Sequence, residues 1–255
     1  MTVMIYGARE LAGIRAASRA AAETLAWVGA RLAPGVTTGT IDAWVREDTA
    51  RRGGRPSQLG YHGFPASVCT SRNQVVCHGV PRADEALRAG DIVNVDVTTE
   101  LDGFHGDTSA TFCLGEVSLA ARHLVDTTRA ALRAGIAAVR PGARLGDVGA
   151  AIVAVARPAG LGVVREFCGH GIGRAMHEAP QVSHVARAGT GLRLRPGMVF
   201  TVEPMLTIGA PEIRVLADGW TAVTVDGSWS AQFEHTLCVT AQGVEVLTFA
   251  PGESS

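Results

Sequence analysis

The stretch LRAGDIVNVDV at 87–97 returns as LRPGMVFTVEP at 194–204, so that Leu87 matches Leu194, Gly90 matches Gly197 and Asp96 matches Glu203 (203 − 96 = 107). A second block keeps that offset, with Pro34-Gly35, Gly39 and Ile41 matching Pro141-Gly142, Gly146 and Val148. Two separate blocks do not share one offset by chance. Stacked solenoid repeats have periods of roughly 20–50 residues, so so long a period implies duplication of a half-domain. The chain, residues 1–255, is therefore expected to form one domain whose halves, about 7–117 and 118–249, pack around a pseudo-twofold axis.

With 255 residues and 47% hydrophobic content, the chain can bury a sizeable core. The net charge of −1 gives no basic footprint for nucleic acid and no polybasic surface for membranes. Arg and Glu recur throughout the first 32 residues, which removes the apolar core of a signal peptide, and no charge-free apolar run is long enough for a membrane span. The 5 cysteines are odd in number, scattered and without a CxxC pair, which fits a reducing cytoplasm. No lysine occurs, so all 23 basic residues are Arg. Schiff-base chemistry and the phosphate-binding P-loop lysine are thereby excluded.

The halves read alike. Helices are expected at 9–32 and 40–52, punctuated by Pro34-Gly35 and Gly53-Gly54, then strands at 67–77, 91–99 and 108–114. The second half repeats the order with helices at 119–139 and 145–156 and strands near 163–167, 198–203 and 233–239. Helices preceding strands in each half predict an α+β fold, a curved antiparallel sheet covered by helices on one face.

In NVDVTTELDGFHGDTSATF, Asn94 and Asp96 share one strand face and Val93, Val95 and Val97 the other. Folding the hairpin at Asp102-Gly103 brings Asp107 roughly opposite Asp96. Like charges facing each other across a hairpin are unfavourable unless solvated or neutralised by a cation. Glu203 holds the repeat position of Asp96 inside an apolar strand, where a lone carboxylate is costly, and Glu234 follows one strand later. His170, set between Gly169 and Gly171, is a candidate imidazole ligand, and His78 and His177 are candidates for polarising a carbonyl or moving protons. Such an oxygen-rich set suits Mn, Fe(II), Co or Zn, and four carboxylates suit two ions better than one.

The runs YHGFPASVCTSRNQVVCHGVP, NVDVTTELDGFHGDTSATF, GHGIGRAMHEAPQV, FTVEPM and SAQFEHTLCVT resemble the type I methionine aminopeptidases, in order and over nearly the whole chain. The resemblance implies the pita-bread fold, and its duplicated halves would give matched acids to one dinuclear site. It implies that Asp96 holds the first ion, His170 and Glu203 the second, and Asp107 and Glu234 both. Glu203 would carry a proton to the leaving amine while His78 and His177 line the substrate channel. Tyr61, His62, Phe64, Cys69, Met205 and Trp220 match positions around the methionine side chain, and Met176 stands where relatives usually carry Phe. Asn73, Val75 and Ser230 resemble a monovalent-cation site for sodium or potassium.

Glu203 and Glu234 are 31 residues apart (234 − 203), which leaves no room for the helical insertion of type II enzymes, so the minimal bacterial form is expected. The implied activity is removal of the initiator methionine from nascent polypeptides with a small second residue, by a cytoplasmic monomer near the ribosome. Two other readings are a proline-specific aminopeptidase or prolidase, and a non-catalytic peptide-binding member of the same fold. The histidine motifs differ from the former, and the intact ligand set separates the chain from the latter.

Overall fold

The computed structural model describes residues 2–249. In the first half, α1 (Ala8–Gly29) and α2 (Thr38–Arg51) precede strands β1 (Arg55–Pro56), β2 (Cys69–Arg72), β3 (Val75–Cys77), β4 (Ile92–Leu101) and β5 (Phe104–Cys113). In the second, α3 (Leu119–Ala137) and α4 (Leu145–Ala156) precede β6 (Gly162–Val163), β7 (Gly169–Gly171), β8 (Glu178–Val182) and β9 (Val199–Val202). The chain continues through β10 (Met205–Thr207), β11 (Ile213–Val215), β12 (Ala222–Thr224), β13 (Ser230–Gln232), β14 (Glu234–Val239) and β15 (Val244–Val246). The main sheet runs β1-β4-β5-β14-β9-β7-β8, with β2 added beside β4 and β15 beside β14, and every pairing is antiparallel. Two three-stranded sheets, β13-β10-β6 and β11-β12-β3, flank it.

Alternation along the strands decides which face is which. Val93, Val95 and Val97 are wholly buried against Leu25 and Val28 of α1 and Ile41 and Val45 of α2. In the second half, Leu124 and Leu132 of α3 and Val148 and Ile152 of α4 join Phe200, Val202 and Leu237 in one cluster. Contact is close enough that a Cβ on Gly106 of β5 would lie 2.3 Å from the Ser18 backbone of α1. Thr37 caps α2 by accepting from the Thr40 N–H, and Ser118 caps α3 by accepting from the Ala121 N–H.

The duplication is visible in the backbone. Gly35 N–H donates to the Leu87 carbonyl at 2.8 Å, and Gly142 N–H donates to that of Leu194 at 2.9 Å. Leu87 N–H returns to Val36 and Leu194 N–H to Ala143, while the bridges Thr37–Ala86 and Arg144–Arg193 repeat at the same spacing. β4 and β9 likewise open 107 residues apart (199 − 92).

Three sequence expectations change. The strand expected over 67–77 is two strands, because Asn73 takes φ +53° and turns the chain between β2 and β3. Asn73 holds this turn by donating its amide to Asp91 and accepting from the Ile92 N–H. Only Gly162–Val163 of the strand expected near 163–167 pairs, and Phe167 instead faces the cavity described below. The 102–103 hairpin turn does form, with Asp102 at φ +52° and Gly103 at φ +77°, but its register moves Asp107. Asp107 pairs with Thr98, and Ser109 is the residue opposite Asp96. A two-residue turn that pairs Leu101 with Phe104 dictates this offset.

Candidate metal centre and substrate cavity

Sheet register builds the carboxylate cluster. Asp96, Ser109 and Glu234 form one row across β4, β5 and β14. Asp107 sits two residues along β5 from Ser109 and therefore on the same face, diagonal to Asp96. Glu203 directly follows β9, whose Val202 pairs with His235, so it comes up beside Glu234. His170 is delivered by β7. A Cβ on Gly169 would stand 2.3 Å from the Thr201 carbonyl oxygen, and one on Gly171 2.1 Å from that of Ala179, so only glycine permits this approach. The crowding inferred from the glycines around His170 is thus backbone against backbone.

Ligand atoms of Asp107, His170 and Glu234 lie within 4.8 Å of one another. His170 Nε2 stands 3.7 Å from Asp107 Oδ2 and 3.6 Å from Glu203 Oε1. The supporting bonds come from residues that the sequence motifs did not single out. Thr98 Oγ1 donates to Asp107 Oδ1 at 2.8 Å, Thr201 Oγ1 donates to Glu203 Oε1 at 2.8 Å, and Gln232 Nε2 donates to Glu203 Oε2 at 3.3 Å. The same Thr201 oxygen accepts from the His170 N–H at 3.0 Å, and His184 Nε2 accepts from the Glu203 N–H at 3.2 Å. Period two gives the signal for the threonines: Thr98 stands two residues after Asp96 and Thr201 two before Glu203, each on the ligand's own face. His184 and Gln232 carry no comparable mark in the sequence.

Burial dominates the electrostatics. It pushes Asp107 up to about 7 and Glu203 to about 8, with the Asp107 charge adding to the second. Asp96 and Glu234 are raised well above the usual carboxylate range, first by burial and then by the Asp107 charge. Burial lowers His170 to about 3, keeping its imidazole neutral and able to ligate.

Whether these residues fit a divalent cation can be judged from what they lack. Asp96 Oδ1 is buried with no hydrogen-bond partner, an arrangement that costs several kcal/mol for a carboxylate unless a cation satisfies it. Three buried carboxylates, the partly exposed Asp96 and a neutral imidazole converge with no Arg among the cavity-lining residues to offset them. The donor set, four oxygen ligands and one nitrogen, matches Mn, Fe, Co or Zn. The residues fit.

The cluster floors a cavity of about 590 Å³. Tyr61, Phe64, Cys69, Met176 and Trp220 line it, as do His78 and His177. Phe64 and Trp220 meet edge to face at 5.2 Å. His177 Nδ1 lies 2.7 Å from the Tyr61 hydroxyl, and its ring is 4.2 Å from that of His170. Burial, then the neighbouring His78, lowers His177 to about 4. His78 stands at φ +54° with its ring 5.1 Å from Phe167. Phe167, Cys168 and Gln58 also line the cavity.

Two expected substrate contacts lie elsewhere. His62 is exposed on the short 3-10 turn Tyr61–Gly63, edge-on to Tyr61, and does not line the cavity. Met205 is 1% exposed and packs with Val76, Cys77, Val164 and Ala222 beneath it. Of the three residues resembling a monovalent-cation site, Ser230 N–H donates to the Asn73 carbonyl at 2.8 Å, while Ser230 Oγ is engaged with the Leu206 carbonyl. Val75 lies nearby, in β3 beside β12.

The pattern of metallopeptidase family M24 matches residues 12–241. Methionine aminopeptidase A of Synechocystis sp. is 50% identical over 247 residues, covering 97% of this chain and 98% of that protein. The Rickettsia prowazekii methionine aminopeptidase is 46% identical over 252 residues, with 98% of this chain and 97% of that one covered. The crystal structure of methionine aminopeptidase from Rickettsia prowazekii superposes with a TM-score of 0.95 at 44% identity, over 97% of this chain and 100% of that chain. The curled antiparallel sheet and its four helices are the pita-bread fold, and membership of a metallopeptidase family implies use of a divalent metal. The chain belongs to metallopeptidase family M24 and, within it, to the methionine aminopeptidases.

Proposed function

We propose that this protein hydrolytically removes the initiator methionine from nascent polypeptides whose second residue is small, as a single catalytic domain built from two halves, about 7–117 and 118–249. The observation that carries the reading is the convergence of Asp96, Asp107, His170, Glu203 and Glu234 at the floor of an apolar cavity, with Asp96 Oδ1 left unpartnered. Asp96, Asp107 and Glu234 would hold one divalent ion, and Asp107, Glu234, His170 and Glu203 a second, each of them Co, Mn, Fe(II) or Zn. When bound, such ions supply Lewis acidity and make water nucleophilic at neutral pH.

The remaining chemistry belongs to the side chains. Tyr61, Phe64, Cys69, Met176 and Trp220 receive the methionine side chain, a flexible thioether suited to an irregular apolar wall. With the Tyr61 hydroxyl, 2.7 Å away, donating to His177 Nδ1, the imidazole carries its proton on Nε2. Nε2–H then donates to the scissile carbonyl oxygen as charge develops there. His78 hydrogen-bonds the backbone of the substrate methionine and the leaving nitrogen. Glu203, held at both oxygens by Thr201 and Gln232, takes a proton from the attacking water and returns it to the leaving amine. Asn73, Val75 and Ser230 would hold a sodium or potassium ion. No helix among the described residues is long and apolar enough to cross a membrane. The five cysteines are all free, in keeping with a reducing cytoplasm, where the protein acts as a monomer on substrates near the ribosome.

The test is mass spectrometry of Met-Gly-Met and a Met-Lys control after incubation with metal-stripped protein, with and without Mn, Co or anaerobic Fe(II). Metal-dependent loss of a single methionine from Met-Gly-Met alone is expected. No loss with any of the metals overturns the reading.

A further inference from the structure

A second cavity lies on the opposite side of the main sheet, in the seam between the two halves. This groove, about 780 Å³, has α1 on one wall (Leu25, Ala26) and α3 on the other (Leu132, Ile136), with Phe112 and Phe233 contributing to its surface. That volume falls within the roughly 300–1,000 Å³ of small-molecule sites. The duplication accounts for it: each helix pair packs on its own half of the sheet, leaving the seam lined by small and apolar residues.

Arginine side chains supply its formal charge. Arg129 and Arg133 line the groove on successive turns of α3, and neither has a carboxylate partner among the described residues. Arg129 is held over the Phe233 ring at 4.7 Å, which keeps its guanidinium at the groove. No Asp or Glu among the described residues lines the groove. His235 also lines the groove. Thr248 Oγ1 accepts from the Thr236 N–H and lies 2.9 Å from His235 Nδ1. An apolar trough with two guanidinium groups and, among the described residues, no acid is complementary to an aliphatic chain ending in an anion.

We propose that this groove is a binding site for an aliphatic monocarboxylate of the fatty-acid type, its chain lying between α1 and α3 and its carboxylate on Arg129 and Arg133. The site is separate from the metal centre and stands whether or not the peptidase reading does, because the strands carrying Asp107 and Glu234 divide the two: their neighbours Thr108 and His235, paired with each other, face the groove.

Isothermal titration of the metal-loaded protein with dodecanoate below its micellar concentration tests the proposal, with dodecyltrimethylammonium and butanoate as matched controls. One saturable dodecanoate per chain is expected, with neither control binding comparably. The Arg129→Ala/Arg133→Ala variant should weaken dodecanoate at least about tenfold, since charge-assisted bonds are lost from an exposed wall that the fold does not need. Ala26→Trp, which fills the trough from an exposed position, should abolish binding while leaving both arginines and peptidase turnover intact. Equal binding of the cationic chain, unchanged affinity in both variants, or no saturable binding would each overturn the proposal.

Discussion

Thr201→Val isolates what one buried hydroxyl does for the metal centre. Thr201 is wholly buried, and its oxygen accepts from the His170 N–H while donating to Glu203 Oε1. Valine keeps the shape, so no cavity forms and the loss is confined to the two bonds. The His170 N–H then has no partner, which costs about 1–3 kcal/mol in the metal-free protein. In that protein Glu203 is held at about 8 and is largely protonated at pH 7, so its bond to Thr201 is between neutral groups and worth about 1 kcal/mol. The metal-free variant should therefore unfold about 2–4 kcal/mol more easily in urea. With a cation bound, Glu203 is ionised and the missing bond is charge-assisted, worth roughly twice as much. The difference appears as weaker metal binding, about 10–100-fold, the range found when groups that orient metal ligands are removed. Urea unfolding of the stripped variant and competitive metal titration measure the two effects separately. Thr98→Val should weaken metal binding through Asp107 with a smaller loss of stability, because it orphans no backbone N–H. A Thr201→Val protein that keeps both its unfolding midpoint and its metal affinity within twofold of the original would refute the reasoning.

Three further outcomes follow from the site. Asp107 and Glu203 have folded-state values of about 7 and 8 against ordinary values of 3.8 and 4.5, so the folded metal-free protein binds more protons than the unfolded chain and loses stability as pH rises through 7 to 8. His170 and His184, lowered by burial to about 3, oppose this only below their ordinary value of 6.5, so urea midpoints should fall between pH 6.5 and 8 without metal, and a rise would contradict the assignment. Glu203→Gln should lower kcat by about 10²–10⁴-fold, as loss of a positioned acid–base does, with circular dichroism unchanged; near-normal turnover would remove Glu203 from the proton path. Trp220→Ala should raise KM for a Met-Ala-Ser peptide roughly three- to tenfold, from loss of its edge-to-face contact with Phe64 and of substrate packing, and an unchanged KM would place the methionine side chain elsewhere.

What could be read from the sequence was what depends on periodicity and on the repeat. The valine alternation at 93–97 identified the buried face of β4, the shared offset identified the two halves, and the glycines around His170 identified a close backbone approach. What could not be read depends on register and on pairings distant in the chain. Asp107 was placed two residues from its true partner because turn geometry, not the positions of the acids, sets the pairing. Asn73 looks like any polar residue within 67–77 until its amide is seen bridging to Asp91 and Ile92. Strands of three residues such as β7 and β12 are too short to carry a pattern of their own, and each pairs on one side with a strand distant in the chain, Gly171 with Phe200 and Ala222 with Cys77.

The duplication also explains why matched acids are not equivalent. Position 94 of the first half corresponds to 201 of the second, and the two carry Asn and Thr. Asn94 turns its amide to Ser109, Thr111 and the Gln232 carbonyl and leaves Asp96 without a donor, whereas Thr201 donates to Glu203. Asp96 Oδ1 is consequently unpartnered, and Glu203 has a hydrogen bond at each oxygen. A short carboxylate with a bare oxygen is disposed to bind a cation and nothing else. A longer one, anchored at both oxygens beside the cavity, can ligate and also exchange a proton without losing its position. One ancestral half thus supplied the geometry twice, and a few substitutions around the repeated acid divided ligation from proton transfer.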